Sequence, residues 1–298
     1  MSGTTDATRI SATAPRKKRG WLAAMWRSRN GRALIITTII LAVIVLLIAG
    51  APLFTSFDPS RADPLNRLLP PSQEHLLGTD RLGRDVFTRV FYGGQPSLIV
   101  GLLVAVITTV IGGIIGLLAA FTRFDNAIMR VMDGFMAFPA IILALGLIAA
   151  LGSSLTNVVV ALSIVYVPRV ARVMRGAALI PKAAVYTEAA RGLGASLPRI
   201  IFRHALPNCV APAIVQATFI VAHAIQIEAT LSFLGVGMPP SIASWGNILQ
   251  ESRQVLRQAP WIGVSAGLAV MFTVLTLNVL GDALRDYLDP KLRGAGDR

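Results

Sequence analysis

The chain has 298 residues, 54% of them hydrophobic and 14% charged, where a soluble domain carries roughly 25% charged residues. That balance excludes an ordinary water-soluble globule and makes lipid the expected solvent. The formal net charge of +13 does not point to nucleic acid, because the 28 Lys and Arg lie in blocks between apolar runs. One cysteine, Cys209, and three scattered histidines, His75, His204 and His223, offer no intrachain disulfide and no ligand-spaced metal set. The phosphate-binding pattern GxxxxGK[ST] is missing from the sequence, so no nucleotide-phosphate loop of that kind is expected in this chain.

Residues 1–32 form a basic tail, and the part before Trp21 is expected to be a solvated, disordered arm. A membrane helix needs about 20 apolar residues, since each rises only about 1.5 Å. Residues 33–54 are uncharged and fit a first span. Ala49-Gly50-Ala51 looks like a signal-peptidase site, but the apolar run before it exceeds the roughly 7–15 residues of a signal core, so the span is expected to stay uncleaved. Residues 55–95 hold 5 basic and 5 acidic residues and are expected to lie outside the membrane. A cap that docks a partner suits such a neutral segment better than one that steers a charged solute.

Residues 96–298 are expected to hold the rest of the transmembrane domain. Residues 96–122 fit a second span. The charge-free stretch 134–168 is too long for one span, and Gly152-Ser153-Ser154 divides it into a third and a fourth. Residues 207–227 and 261–281 supply the fifth and sixth. Runs this continuous are helical, because a helix satisfies its own backbone in lipid. Basic residues partition 21 to 7 in favour of the side that carries both termini and the 169–206 loop. Cytoplasmic loops retain Lys and Arg, so both termini are expected in the cytoplasm.

The 169–206 loop is the most informative stretch. Residues 183–193 are good helix formers, and Gly194 permits the left-handed turn that ends such a helix. Ser196 can cap a second helix, with Pro198 tolerated in its first turn. This stretch resembles the EAA loop of binding-protein-dependent ABC importer permeases: Glu188, Ala189, Ala190, Gly194, Leu206 and Pro207 fall in register. His204 departs from the pattern, which has Ile there. Leu77-Gly78-Thr79-Asp80-Arg81-Leu82-Gly83-Arg84-Asp85, Phe138-Pro139, Leu231-Ser232-Phe233-Leu234-Gly235, Ser244-Trp245-Gly246 and Leu280-Gly281-Asp282-Ala283-Leu284-Arg285-Asp286 are similar to the dipeptide, oligopeptide and nickel branch of that family.

The resemblance implies an all-α membrane protein of six transmembrane helices, with the ABC importer type I permease fold and a coupling loop at 176–206. It implies a non-catalytic permease subunit in the bacterial inner membrane. Its partners would be a second, unlike permease, two cytoplasmic ATPase subunits that bind ATP and Mg, and an extracytoplasmic substrate-binding protein. Peptides are the expected cargo, with nickel chelates, glutathione and opines carried by close relatives. No substrate-binding residue can be assigned, and no cofactor is expected in this chain.

Other readings rest on single residues. Asp133 and Glu228 lie in or beside apolar runs, where an ionisable group is costly and often functional. They suggest either an ion-driven carrier or inter-helix hydrogen bonding near span ends. The broken paired helices of such carriers are not evident in the sequence. His223 reads as a packing residue. Gly112-x-x-x-Gly116 and Gly263-x-x-x-Gly267 read as close helix contacts.

Overall fold

A computed structural model describes residues 29–288; the basic tail up to residue 28 and residues 289–298 lie outside the described residues. Among the described residues there is no β-strand, only an isolated bridge between Thr79 and Asp85. By length and composition five helices are each long and apolar enough to cross a membrane, and the number is six where a bent helix pair is counted as one span.

The first span is α1 (Arg29–Ala49), followed by the short α2 (Ala51–Phe54). The second, α3 (Val86–Phe121), has 36 residues, about 54 Å of helix against a hydrocarbon core of about 30 Å. It begins ten residues before the apolar run at 96–122. Asp85 makes this start possible, because its Oδ2 accepts Thr88 N at 2.7 Å and Thr88 Oγ1 at 2.8 Å. Pro96 is accommodated inside the helix, at the loss of one backbone hydrogen bond.

The third crossing departs from the straight span expected from residue 134. It consists of α4 (Asp125–Met136) and α5 (Ala140–Leu151), bent by 85° at the break between them. Pro139 causes the break, since the residue before a proline disfavours helical backbone and the proline itself cannot donate. Each piece has 12 residues, about 18 Å, and neither crosses alone. Among the described residues this is a single bent pair, where the sequence predicts one straight span.

Gly152, at φ 86°, makes the expected turn before α6 (Leu155–Lys182). Ser154 Oγ accepts Asn157 N, while Asn157 Nδ2 donates to the Leu151 and Gly152 carbonyls. These bonds tie the polar turn together. α6 runs 14 residues past Pro168, where the charge-free stretch ends, and packs extensively against α3. Gly112 and Gly116 allow the approach: a Cβ on Gly116 would stand 2.4 Å from the Ala171 carbonyl, and one on Gly112 would stand 2.8 Å from Val170 Cβ. Of the second glycine pair only Gly263 is tight, against Ser252, while Gly267 has room.

The remaining elements are α7 (Val185–Gly192), α8 (Leu197–Ile200), a π-turn (Ile201–Ala205), α9 (Leu206–Phe233), α10 (Trp245–Ser252) and α11 (Pro260–Leu288). The main core lies where α3, α6 and α9 meet, around Val100, Leu162 and Ile220. α11 packs against α9 and α1. At the end of the bundle away from α7, the Leu77–Asp85 motif folds onto α3 and α10. Asp80 Oδ2 accepts Arg84 Nε at 2.7 Å and Arg89 NH1 at 2.5 Å, and both arginines also reach Glu251 of α10. Trp245 Nε1 donates to the Val90 carbonyl at 2.8 Å in the same region.

Candidate functional site

The EAA segment is held out from the bundle by a few local bonds. Lys182, the last residue of α6, donates to the Ala120 carbonyl at 2.5 Å and lies over the Phe121 ring. This fixes where α6 ends relative to α3. Thr187, fully buried, donates to the Pro181 carbonyl at 2.6 Å and anchors the first turn of α7. The helix is shorter than the 183–193 stretch, because Ala183 and Ala184 make the connection from α6.

α7 ends in a Schellman motif. Ala195 N donates to Ala190 O at 3.0 Å, Gly194 N donates to Arg191 O at 2.9 Å, and Gly194 has φ 83°. The left-handed turn expected at Gly194 is present, and a Cβ added there would meet nothing of this chain within 4 Å. Ser196 stands at the N-cap of α8 but makes no side-chain cap bond, which corrects the capping expected of it. Pro198 sits in the first turn as expected. Leu206 and Pro207 open α9 after the π-turn. The two arms of the loop touch through Tyr186 and His204, whose ring centroids are 5.7 Å apart. The histidine in the place of the pattern's Ile therefore packs inside the loop.

Glu188, Ala189 and Gly194 are exposed, and Ala190 is partly covered. Glu188 makes no salt bridge among the described residues. Beside these motif residues lies an apolar stripe that motif matching does not reveal. Val185, Ala189 and Leu193 recur every four residues, so they share one face, and Val185 is 79% and Leu193 90% exposed. The i, i+4, i+8 spacing was the available signal. Large apolar side chains so exposed on a short polar-flanked helix mark a contact surface.

The other ionisable candidates are structural. Asp133 of α4 pairs with Arg172 of α6, and Asp125 receives both Arg175 Nε at 2.5 Å and Arg175 NH2 at 2.6 Å. Two ion pairs thus fasten the first half of the broken crossing to α6. Glu228 is fully buried and accepts Ser97 Oγ at 3.0 Å and Ser232 Oγ at 2.9 Å. Ser232 Oγ in turn accepts Met238 N at 3.0 Å. A Cβ on Gly246 would fall 2.5 Å from Ser232 Cβ, so the Leu231–Gly235 and Ser244–Gly246 motifs are packed on each other around this carboxyl. His223 donates or accepts at the Phe219 carbonyl within its own helix, 2.7 Å away, and meets Tyr166 edge-on. It is a packing residue. Among the described residues no group of His, Cys, Asp and Glu is arranged to hold a metal ion.

Comparison with known proteins agrees with this architecture. The profile of the family described as binding-protein-dependent transport system inner membrane component matches residues 108–294. A putative peptide transport system permease protein of Brucella suis biovar 1 (strain 1330) is 49% identical over 271 residues, 91% of this chain and 92% of that protein. The dipeptide transport system permease protein DppC of Alkalihalophilus pseudofirmus is 40% identical over 92% of this chain and 90% of its own length. The oligopeptide transport system permease protein OppC of Bacillus subtilis (strain 168) is 37% identical over 92% and 90%. Among solved structures, an inward-facing MetNI methionine ABC transporter aligns with TM-score 0.57 and 21% identity, covering 67% of this chain and 96% of that one. That likeness supports the fold. With the family profile covering most of the bundle and relatives of this identity along nearly the full length, the chain belongs to the inner-membrane permease components of binding-protein-dependent ABC importers.

Proposed function

We propose that this chain is one of two unlike permeases forming the translocation pathway of an ATP-driven peptide importer, and that α7 is its coupling helix. The peptide transport relatives support the cargo. The exposed stripe of Val185, Ala189 and Leu193 carries the coupling role. Burying a Val or Leu side chain contributes roughly 1.5–3 kcal/mol, so a groove on an ATPase subunit that covers this stripe gains a firm hold from few residues. Gly194 lets the chain turn back beneath that hold without a side chain in the way.

In this reading ATP and Mg belong to two ATPase subunits, and a binding protein delivers the peptide from outside. Both termini and α7 face the cytoplasm in this reading, which the distribution of basic residues supports. Motion of the ATPases is transmitted because α7 stays engaged in both states and each state binds it differently. A photo-crosslinking residue at Leu193, placed in the assembled importer, should capture an ATPase subunit. Capture of lipid or of the sister permease instead, with no ATPase adduct, would reject the coupling role. Competition of labelled dipeptide uptake by peptides, nickel chelates, glutathione and opines identifies the cargo.

A further inference from the structure

We infer that the flank of the bundle beside the coupling segment is a binding site for an anionic phospholipid, with its phosphate at Arg199 and Arg203 and an acyl chain in an apolar cleft. The cleft measures about 1120 Å³ and runs along α3 and α9, closed at the side by α1. Leu102, Val106 and Ile114 line one wall and Val210 and Ile214 the other, with Leu41 at the edge. Its walls are almost wholly apolar, and it exceeds the roughly 300–1,000 Å³ of ordinary small-molecule pockets.

At one end this cleft meets a second, open hollow of about 800 Å³ lined by Pro198, Arg199, Phe202, Arg203 and Pro207. Pro198 and Phe202 are walls of both. Arg199 and Arg203 are exposed and one helical turn apart, so they face the same hollow. Neither has a salt bridge among the described residues. Counting back from Pro207 at 1.5 Å per residue, the two guanidinium groups start about 6 and 12 Å before the span begins, at headgroup depth. An apolar slot ending in a pair of forked cations at that depth matches one molecule in charge and shape: a lipid with an anionic phosphate headgroup. Arginine binds phosphate through paired N–H donors, and basic clusters between membrane helices take anionic headgroups. Phe202, 69% exposed, would be covered by the glycerol region of such a lipid.

The test is made without nucleotide, so that it does not depend on coupling to an ATPase. The full chain is placed in nanodiscs with phosphatidylglycerol and phosphatidylcholine in equal amounts, and lipids retained on release are counted by native mass spectrometry. Phosphatidylglycerol should be retained at least tenfold over phosphatidylcholine. The Arg199→Gln/Arg203→Gln variant should lose that preference, Ile214→Trp should lose the retained lipid by filling the cleft, and Arg191→Gln, outside both hollows, should keep both. Ile214→Trp leaves the charges in place, so the two variants report separately if one of them folds poorly. Equal retention of the two lipids by the unaltered chain would overturn the proposal. So would a preference surviving both variants, or displacement by millimolar inorganic phosphate. A cysteine at Ile214 that cross-links to a second permease chain in the assembled importer would also overturn it, by assigning the cleft to a helix.

Discussion

Arg89 and Glu251 lie 162 residues apart and meet through two hydrogen bonds, NH1 to Oε2 at 2.6 Å and NH2 to Oε1 at 3.0 Å. Arg89 is buried, and its other charge partner is Asp80. The pair joins the start of α3 to α10, so the Leu77–Asp85 motif is a clasp that closes one end of the bundle. Removing one member of a buried ion pair costs roughly 3–5 kcal/mol because a charge is left uncompensated. Arg89→Ala, which leaves Arg84 as the one remaining cation against both Asp80 and Glu251, should therefore lower the thermal stability of the detergent-solubilised chain more than Glu251→Gln does. The Arg89→Ala/Glu251→Ala double variant should lose less than the sum of the two single alanine variants. Strict additivity would show that the two side chains do not stabilise each other.

Membrane sidedness can be read with an impermeant thiol reagent on intact cells. Ser60, Ser196 and Ser241 are all exposed on the chain, so labelling of cysteines placed there reports the side of the membrane and not burial. The native Cys209 is buried and gives a low background. Cysteines at positions 60 and 241 should react from outside, and one at 196 should not. Reaction at 196 alone would invert the topology.

The contact between α3 and α6 depends on missing side chains. Gly116→Ala should destabilise the fold, since the new Cβ would stand 2.4 Å from a backbone carbonyl that cannot swing away. Gly146→Ala serves as the comparison, because nothing lies within 4 Å of a Cβ there. A helical Gly→Ala change at an open position stabilises by roughly 0.5–1 kcal/mol. The thermal midpoints of the two variants should thus move in opposite directions. A neutral Gly116→Ala would mean that the helices are less closely packed than described.

What the sequence made legible depended on how local the signal was. The spans, the Gly152–Ser154 turn and the Gly194 turn follow from runs and residues within a few positions of each other. The first ten residues of α3 were hidden because Arg89 looks like a solvated charge until Glu251 is known to face it. Asp133 and Glu228 were ambiguous for the same reason: their partners Arg172 and Ser97 are distant in the chain. The bend at Pro139 was locally signalled, yet the uncharged run through it masked the break. Ser196 shows the converse case, where the cap position is right and the side-chain bond is not made.

The coupling segment gives the sharpest test, because the demands at Gly194 separate. Its φ of 83° disfavours most side chains by roughly 1 kcal/mol or more. Asn and Asp tolerate that conformation best, so Gly194→Asn should keep α7 and its turn intact. Gly194→Asp has nearly the same shape and adds a charge. Since a Cβ there meets nothing within this chain, the added carboxylate would point at whatever covers the loop, and it has no partner to offset its desolvation. Gly194→Asp should therefore insert in the membrane and assemble with the sister permease, yet lose uptake and release the ATPase subunits on purification. Gly194→Asn should keep more of both. Glu188→Ala should do less than Gly194→Asp, since losing one hydrogen bond from a charged group costs roughly 1.5–3 kcal/mol and Glu188 has no salt bridge within the chain to strand. The readouts are peptide uptake and ATPase co-purification at matched expression. Normal uptake by Gly194→Asp would show that nothing binds close against this turn, and α7 would then not be the element that carries the ATPase motion into the spans.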